Sequence, residues 1–189
     1  MRIPLSDRLL AACRFVKPGD RVADVGCDHG YLGIYLLNNN IASHVIASDI
    51  NEGPLHAAVL NSEKYGVRDR IQFFLSDGVQ KIPREFDTLV CAGMGGDTMI
   101  SILEAAPWLK CDQYRLILQC QSKRPELRQW LYDEASGSTG KPWPRMVNLS
   151  IPLWKWFSIR VIPCPMHKAI SLLPCWRTII LYFLNITNG

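Results

Sequence analysis

The chain has no acidic residue after Glu134: residues 135–189 hold six Lys and Arg and not one Asp or Glu. The formal charge of +4 therefore does not describe the whole protein, because residues 1–134 carry 15 basic against 17 acidic side chains, a balance of −2. A body that grips nucleic acid by its net charge is not what this division describes. Also missing is any run of about 18 apolar residues, the length a membrane span needs. Met1, Arg2, Ile3 and Pro4 lead straight into Ser6, Asp7 and Arg8, so no secretory leader is expected, and the expectation is a soluble protein with no membrane partner. The seven cysteines (13, 27, 91, 111, 120, 164, 175) form no C-x-x-C pair and no zinc spacing. Neither a metal module nor a disulfide scaffold follows, and reduced, buried thiols in a cytoplasmic protein are expected. A length of 189 residues suits one domain with a full core. Nothing in the sequence sets an oligomeric state.

What is present centres on residues 21–33, RVADVGCDHGYLG. An apolar, β-branched run reaches a glycine, crosses a tight turn, and opens a segment with helical spacing at Leu32, Ile34, Tyr35, Leu36 and Leu37. In a βαβ unit such a turn puts backbone N–H groups and a helix N-terminus at the carboxyl end of a strand, where open α/β sheets bind nucleotide-like ligands. The residues inside the turn discriminate between ligands. A dinucleotide site uses G-x-G-x-x-G, whose middle glycine admits a pyrophosphate. Here that position is Asp28, and a carboxylate would repel two phosphates at close range. A ligand with a sulfonium and a free ammonium, S-adenosylmethionine, would be attracted instead. A βα turn with no ligand is the alternative reading.

The remaining elements alternate. Residues 5–16 read as an opening amphipathic helix with Ser6 as N-cap and Leu9, Leu10, Cys13 and Phe15 on its buried side. Residues 44–49 form a second strand ending on Asp49, 23 residues after Gly26, near the spacing at which a Rossmann-like unit offers a carboxylate to ribose hydroxyls. Asp49 as a helix cap is the alternative. The helix that follows, with Pro54 near its start, runs to Tyr65 and Gly66. Strand three spans 70–75 and leads into Ser76, Asp77 and Gly78, the loop that reaches an adenine in this fold, or a plain turn. Strand four spans 86–92 and runs into Gly93, Met94, Gly95 and Gly96, where backbone must approach something closely. Residues 98–109 have helical spacing at Met99, Ile102, Leu103 and Ala106, 114–119 form strand five, and 125–132 another helix. The expected fold is α/β, a doubly wound, mostly parallel, Rossmann-like sheet.

The segments LSDRL (5–9), ADVGCDHGYL (23–32), ASDIN-x-GPL (47–55), DTLVCAGMGGDTMI (87–100), RLILQ (115–119) and LRQWL (127–131) together resemble the bacterial tRNA (adenine-22-N1) methyltransferases. The resemblance covers residues 1–133 and implies a class I methyltransferase domain there, followed in the family by a small helical domain. It implies S-adenosylmethionine as cofactor, tRNA as partner and methyl transfer to N1 of adenine 22 in the D-loop. By position it assigns Asp24, Gly26, Asp28, His29 and Gly30 to the methionine end, Asp49 and Ile50 to the ribose, and Ser76, Asp77 and Gly78 to the adenine. Gly93, Met94, Gly95 and Gly96 become the acceptor wall. N1 of adenine carries an in-plane lone pair, so alignment and desolvation matter more than a base. The product is cationic, which makes Asp28 the candidate for electrostatic assistance and His29 a weaker one; each also has a reading as a turn former or cap. A small-molecule methyltransferase and a non-catalytic cofactor-binding remnant stay open as alternatives.

The family pattern stops after Leu131. Residues 134–189 hold half of the twelve prolines and four of the six tryptophans, and proline interrupts every plausible element. The family's antiparallel edge strands are therefore expected to be missing or replaced, leaving strand five as a bare edge beside a poorly ordered tail. Codon logic gives a sharper reading. Read one nucleotide out of register, residues 135–156 can derive from a frame encoding GFRVDRETLAQDGKLIYPVMEVV. Trp and Met codons end in G, which forces Ala after Trp143, Gly after Met146, Glu after Trp154 and Val after Trp156 in the displaced frame. All four suit the family-like peptide, so a frameshift near codon 134 is the expectation.

Overall fold

The computed structural model describes residues 2–111, 113–135, 146–147 and 181–183. Along them lie α1 (Asp7–Cys13), β1 (Arg21–Val25), α2 (Tyr31–Asn38), β2 (His44–Asp49), α3 (Glu52–Lys64), β3 (Ile71–Leu75), β4 (Thr88–Gly95), α4 (Gly96–Glu104), β5 (Arg115–Ser122), α5 (Arg124–Ala135), β6 (Met146–Val147) and β7 (Leu181–Phe183). The central strands run β3-β2-β1-β4-β5, all parallel. The chain builds outward from β1 to β3 and then crosses back to lay β4 on the other side of β1. The order reverses there, which opens a crevice at the carboxyl ends of β1 and β4. This is the Rossmann-like, mostly parallel α/β fold of class I methyltransferases.

Sequence explains the layering. In β1 every residue after Arg21 is buried, and β2 is buried from Val45 to its end. Continuous burial of this kind is what a parallel strand covered by helices on both faces shows. Alternate side chains then divide between two cores. Val22, Val45, Ala47, Val90 and Ile117 pack with α1, α2 and α3, whereas Ala23, Val25, Ile46, Leu89, Leu116 and Leu118 pack with α4 and α5.

Several boundaries differ from expectation. Helix α1 is shorter than 5–16, because the amides of Arg14, Phe15 and Val16 tighten onto carbonyls three residues back and end it. Ser6 holds the N-cap position without a side-chain cap bond, and the deepest residues are Ala11, Ala12 and Cys13, with Leu9, Leu10 and Phe15 only partly buried. The helix expected at 98–109 starts two residues earlier and stops at Glu104; Pro107, lacking an N–H, then opens a separate 3-10 turn, Pro107–Leu109. The expected apolar positions Met99, Ile102, Leu103 and Ala106 are all buried.

The edge of β5 is not bare. The β6 backbone pairs with Leu116 and Ile117, and the β7 backbone with Leu118, Gln119 and Cys120, both parallel. An open row of ladder groups attracts extended chain, and these two short segments take it up. The remainder of 136–189, with Trp143, Trp154, Trp156 and Trp176 and hence the frameshift and tail-order readings, lies outside the described residues.

Candidate functional site

The turn after β1 is tied down on three sides. Gly26 has φ +70°, and its amide and that of Cys27 both donate to the Ser48 carbonyl on β2, at 2.8 and 2.9 Å. The Asp28 amide donates to Asp49 Oδ2 at 3.1 Å, while Asp49 Oδ1 accepts from the Asn51 amide at 2.9 Å. Asp49 thus braces the Asp28 turn and the backbone of Asn51, which itself holds the N-cap position of α3, and it stands at the mouth of β2 beside the turn. From the other side, Asn61 Nδ2 on α3 donates to the His29 carbonyl at 3.0 Å. Gly30, in the left-handed region, caps α2. With the backbone fixed this way, the Asp28 and His29 side chains project into solvent, 71% and 52% exposed, with Oδ1 and Nε2 3.6 Å apart. Asp28 itself has φ +50°, a conformation that Asp tolerates better than most residues.

Beneath the turn lies Asp24, 3% exposed. Burial pushes its carboxyl up to about 7; the Gly33 amide opposes the rise and the Asp49 charge adds to it. Its Oδ2 is buried and finds no hydrogen-bond partner among the described residues. A buried carboxyl with a free oxygen under an acid-lined turn suits the ammonium of an amino-acid ligand and repels phosphate. Burial and the Asp24 charge also push the Cys13 and Cys91 thiols up to about 12, and raise that of Cys27. These three thiols are packing groups rather than nucleophiles.

The third loop divides the residues expected there. Ser76 is buried, its amide donating to the Asp49 carbonyl at 2.9 Å and its Oγ accepting from the Lys81 amide at 3.0 Å, so it shapes the loop from within. Gly78 is buried too, and its carbonyl accepts from Ser48 Oγ at 3.3 Å. Asp77 alone of the three presents an exposed side chain. Next to it, Ile50 and Leu75 are 63% and 41% exposed at the ends of neighbouring strands, since Asp49 and Leu75 are register partners. Two bare aliphatic side chains beside an acid form a suitable seat for a flat heterocycle with an exocyclic amine. Leu75 went unnoticed in the sequence because strand residues of its kind are ordinarily core.

On the far side of the crevice, β4 continues through Met94 to Gly95 instead of ending at residue 92, with register shifts against β5 on either side of Met94. Gly93, φ +83°, donates its amide to Oε1 of the buried Gln119 at 2.9 Å. Met94 reaches back across the crevice, and its Cε lies where a Cβ on Gly26 would be, 2.1 Å away. Gly26 is therefore needed twice, for its φ and for the room it leaves Met94. Arg8 of α1 and Gln121 of β5 close this side. With its amide oxygen toward the guanidinium, Gln121 accepts from Arg8 Nη2 at 3.2 Å and from Nη1. Arg8, Gln119 and Gln121 were not singled out in the sequence, since nothing local links residue 8 to residue 121.

Among the described residues no group of His, Cys, Asp and Glu could hold a metal ion, and no helix is long and apolar enough to cross a membrane.

Comparison with known proteins agrees with this geometry. A family model described as "Methyltransferase domain" matches residues 5–136. The tRNA (adenine(22)-N(1))-methyltransferase of Bacillus subtilis is 38% identical over 133 residues, 70% of this chain and 56% of that protein. The crystal structure of the B. subtilis tRNA methyltransferase TrmK is 37% identical with a TM-score of 0.66, covering 71% of this chain and 58% of that one. M. capricolum TrmK, solved with S-adenosyl-homocysteine, is 31% identical with a TM-score of 0.62, covering 69% and 58%. The chain spans about half the length of the curated relatives it matches.

Proposed function

The chain belongs to the class I methyltransferase-domain family, on the branch of the tRNA (adenine-22-N1) methyltransferases, and from that premise we propose that it transfers a methyl group from S-adenosylmethionine to N1 of adenine 22 in tRNA, in the cytoplasm. The observation that carries the cofactor is the buried Asp24 carboxyl, one oxygen free, under a turn that has Asp28 where a dinucleotide site has glycine. Bound S-adenosylmethionine supplies an electrophilic methyl group on a positively charged sulfur. Asp24 would hold the ammonium, Asp49 the ribose hydroxyls through the lone pairs its two amide donors leave free, Ile50 and Leu75 the faces of the adenine, and Asp77 its exocyclic amine.

The acceptor adenine then stands against Gly93, Met94 and Gly95. Its N1 lone pair would form the new N–C bond as the electron pair of the S–C bond returned to sulfur, so no residue of this chain would have to remove a proton before attack. Positive charge moves from sulfur to the base, and the exposed Asp28 carboxylate is placed to stabilise it on that side, with His29 beside it in a lesser role. The chain's contribution is mainly alignment.

Calorimetry should give S-adenosylhomocysteine binding and no NAD binding, and incubation with labelled cofactor and tRNA should put the label on N1 of an adenine in the D-loop. NAD binding tighter than S-adenosylhomocysteine, or label on another atom, would overturn the reading.

A further inference from the structure

We propose that Arg8, held by Gln121 beside Gly93, is a binding site for an RNA phosphodiester flanking the target base; the inference rests on the RNA-methylation reading above. Gly93 carries no side chain, and the nearest side-chain atoms to where its Cβ would stand are the Gln121 amide atom that faces Arg8, its oxygen, and Arg8 Nη2, at 3.5 and 3.6 Å. The bare backbone of the acceptor wall is therefore rimmed by one guanidinium and one amide. Four acids, Asp24, Asp28, Asp49 and Asp77, belong to the other side of the crevice. Among the described residues no carboxylate is paired with Arg8, while Asp97, in the first turn of α4, is already bridged to Lys123. Arg8 Nε is buried without a hydrogen-bond partner among the described residues, and Nη1 and Nη2 both face the Gln121 amide oxygen beside the acceptor wall. A half-buried guanidinium with no carboxylate partner among the described residues, at a bare backbone edge, suits an oxyanion.

Two oxyanions are in range of such a site, the carboxylate of the cofactor's methionine end and a phosphodiester of the acceptor. Position favours the second. Neighbouring strands lie about 4.8 Å apart, so β5, whose Gln121 fixes the guanidinium, stands roughly 10 Å from β1 and its cofactor turn. Residues allotted to the cofactor come from β1, β2, β3 and the loops that follow them, and none from β5. The split is also chemically sensible, with acids facing a cationic cofactor and a guanidinium facing a polyanionic substrate.

The test uses the full chain and compares the parent with Arg8→Ala, Arg8→Lys and Gln121→Ala. The readouts are binding of a labelled tRNA across a salt series, S-adenosylhomocysteine affinity, thermal midpoint, and label transfer to adenine N1. Loss of one phosphate contact should weaken RNA binding by roughly tenfold in Arg8→Ala and lower the log–log salt slope by about 1. S-adenosylhomocysteine affinity should stay at the parent value. Arg8→Lys, which keeps the charge and loses the fork, should recover the slope and only part of the affinity. A purely structural role for Arg8 would move the midpoint and leave the slope alone. If the parent methylates adenine N1 and Arg8→Ala matches it in RNA affinity and slope, this inference falls and the function stands. If Arg8→Ala loses S-adenosylhomocysteine affinity with an unchanged slope, the oxyanion is the cofactor's carboxylate and the inference is overturned. A parent chain that transfers no methyl to RNA and shows no salt-dependent RNA binding takes down both readings together.

Discussion

On the β1, β2 and β3 side of the switch point, ligand-facing groups come from turns that follow their strands directly and are tied to one another by backbone hydrogen bonds: Gly26 and Cys27 to Ser48, Ser76 to Asp49, Asp28 to the Asp49 side chain. On the β4 and β5 side the wall is a strand thinned by glycine and bulged at Met94, and its polar groups arrive from distant sequence, Arg8 from α1 and Gln119 and Gln121 from β5. The first side is acidic and built from local chain geometry, so its chemistry is written in short motifs. The second depends on what packs against it, so a substitution there acts through neighbours.

The largest effect should be on the first side. Asp49→Ala removes the acid proposed to face the ribose and frees two backbone amides, and should lower S-adenosylhomocysteine affinity by about 1.5–3 kcal/mol, as lost hydrogen bonds to a charged group do. Unchanged affinity by calorimetry would reduce Asp49 to a brace for Asp28 and Asn51. On the second side, a Cβ at Gly96 would stand 2.4 Å from the Lys123 carbonyl oxygen, which is backbone and cannot swing away. Gly96→Ala should cost about 1–3 kcal/mol of stability. Gly53→Ala, with nothing within 4 Å, should be neutral or stabilising by about 0.5–1 kcal/mol, since alanine favours helix over glycine. Equal urea midpoints for the two variants would erase the contrast.

Smaller and pH-dependent is the contribution of Asp24. Its folded value of about 7 lies above the ordinary 3.8, so folding takes up a proton and stability falls as pH rises from about 4 to about 7. Asp24→Asn should flatten that slope in denaturation series. An ammonium ligand draws the same group toward its carboxylate, so cofactor binding should release a proton below about pH 7, and S-adenosylhomocysteine affinity should rise with pH up to about 7, by at most about tenfold per unit, and level off above it. Affinity that is flat with pH in the parent would remove Asp24 from the ammonium. The smallest change belongs to His29, more than half exposed: His29→Ala should alter cofactor affinity and stability by no more than about 0.5 kcal/mol. A loss of more than tenfold in methyl-transfer rate would raise His29 from neighbour to participant.

Legibility followed the same line. Residues 21–33 announced strand, turn and helix because apolar runs and glycines there act within a few residues of one another, and the proposed ligand class rests on one charge, Asp28. The loop at Ser76, Asp77 and Gly78 follows strand three as expected, but which side chain faces out was not readable: the Ser76 hydroxyl and the Gly78 carbonyl bond to Lys81 and Ser48. At β4 the glycines read as a turn, yet the strand runs on through Gly95, since pairing with residues up to Ser122 of β5 outweighs the weak strand preference of glycine. On β5 the loss of alternation after residue 134 suggested a bare edge, whereas open ladder groups recruited β6 and β7 in parallel.

By itself the sequence determined the βαβ alternation and the acid at the middle of the first turn, on which the proposal of a cationic ligand rests, because each depends on residues within one turn of chain. Only the tertiary structure decided that Asp24 is buried with an oxygen free, that Met94 lies over Gly26, and that Arg8 meets Gln121 beside Gly93. Those are contacts between segments up to 113 positions apart, brought together by helix packing on a twisted sheet, and no local pattern encodes which of many apolar faces will meet.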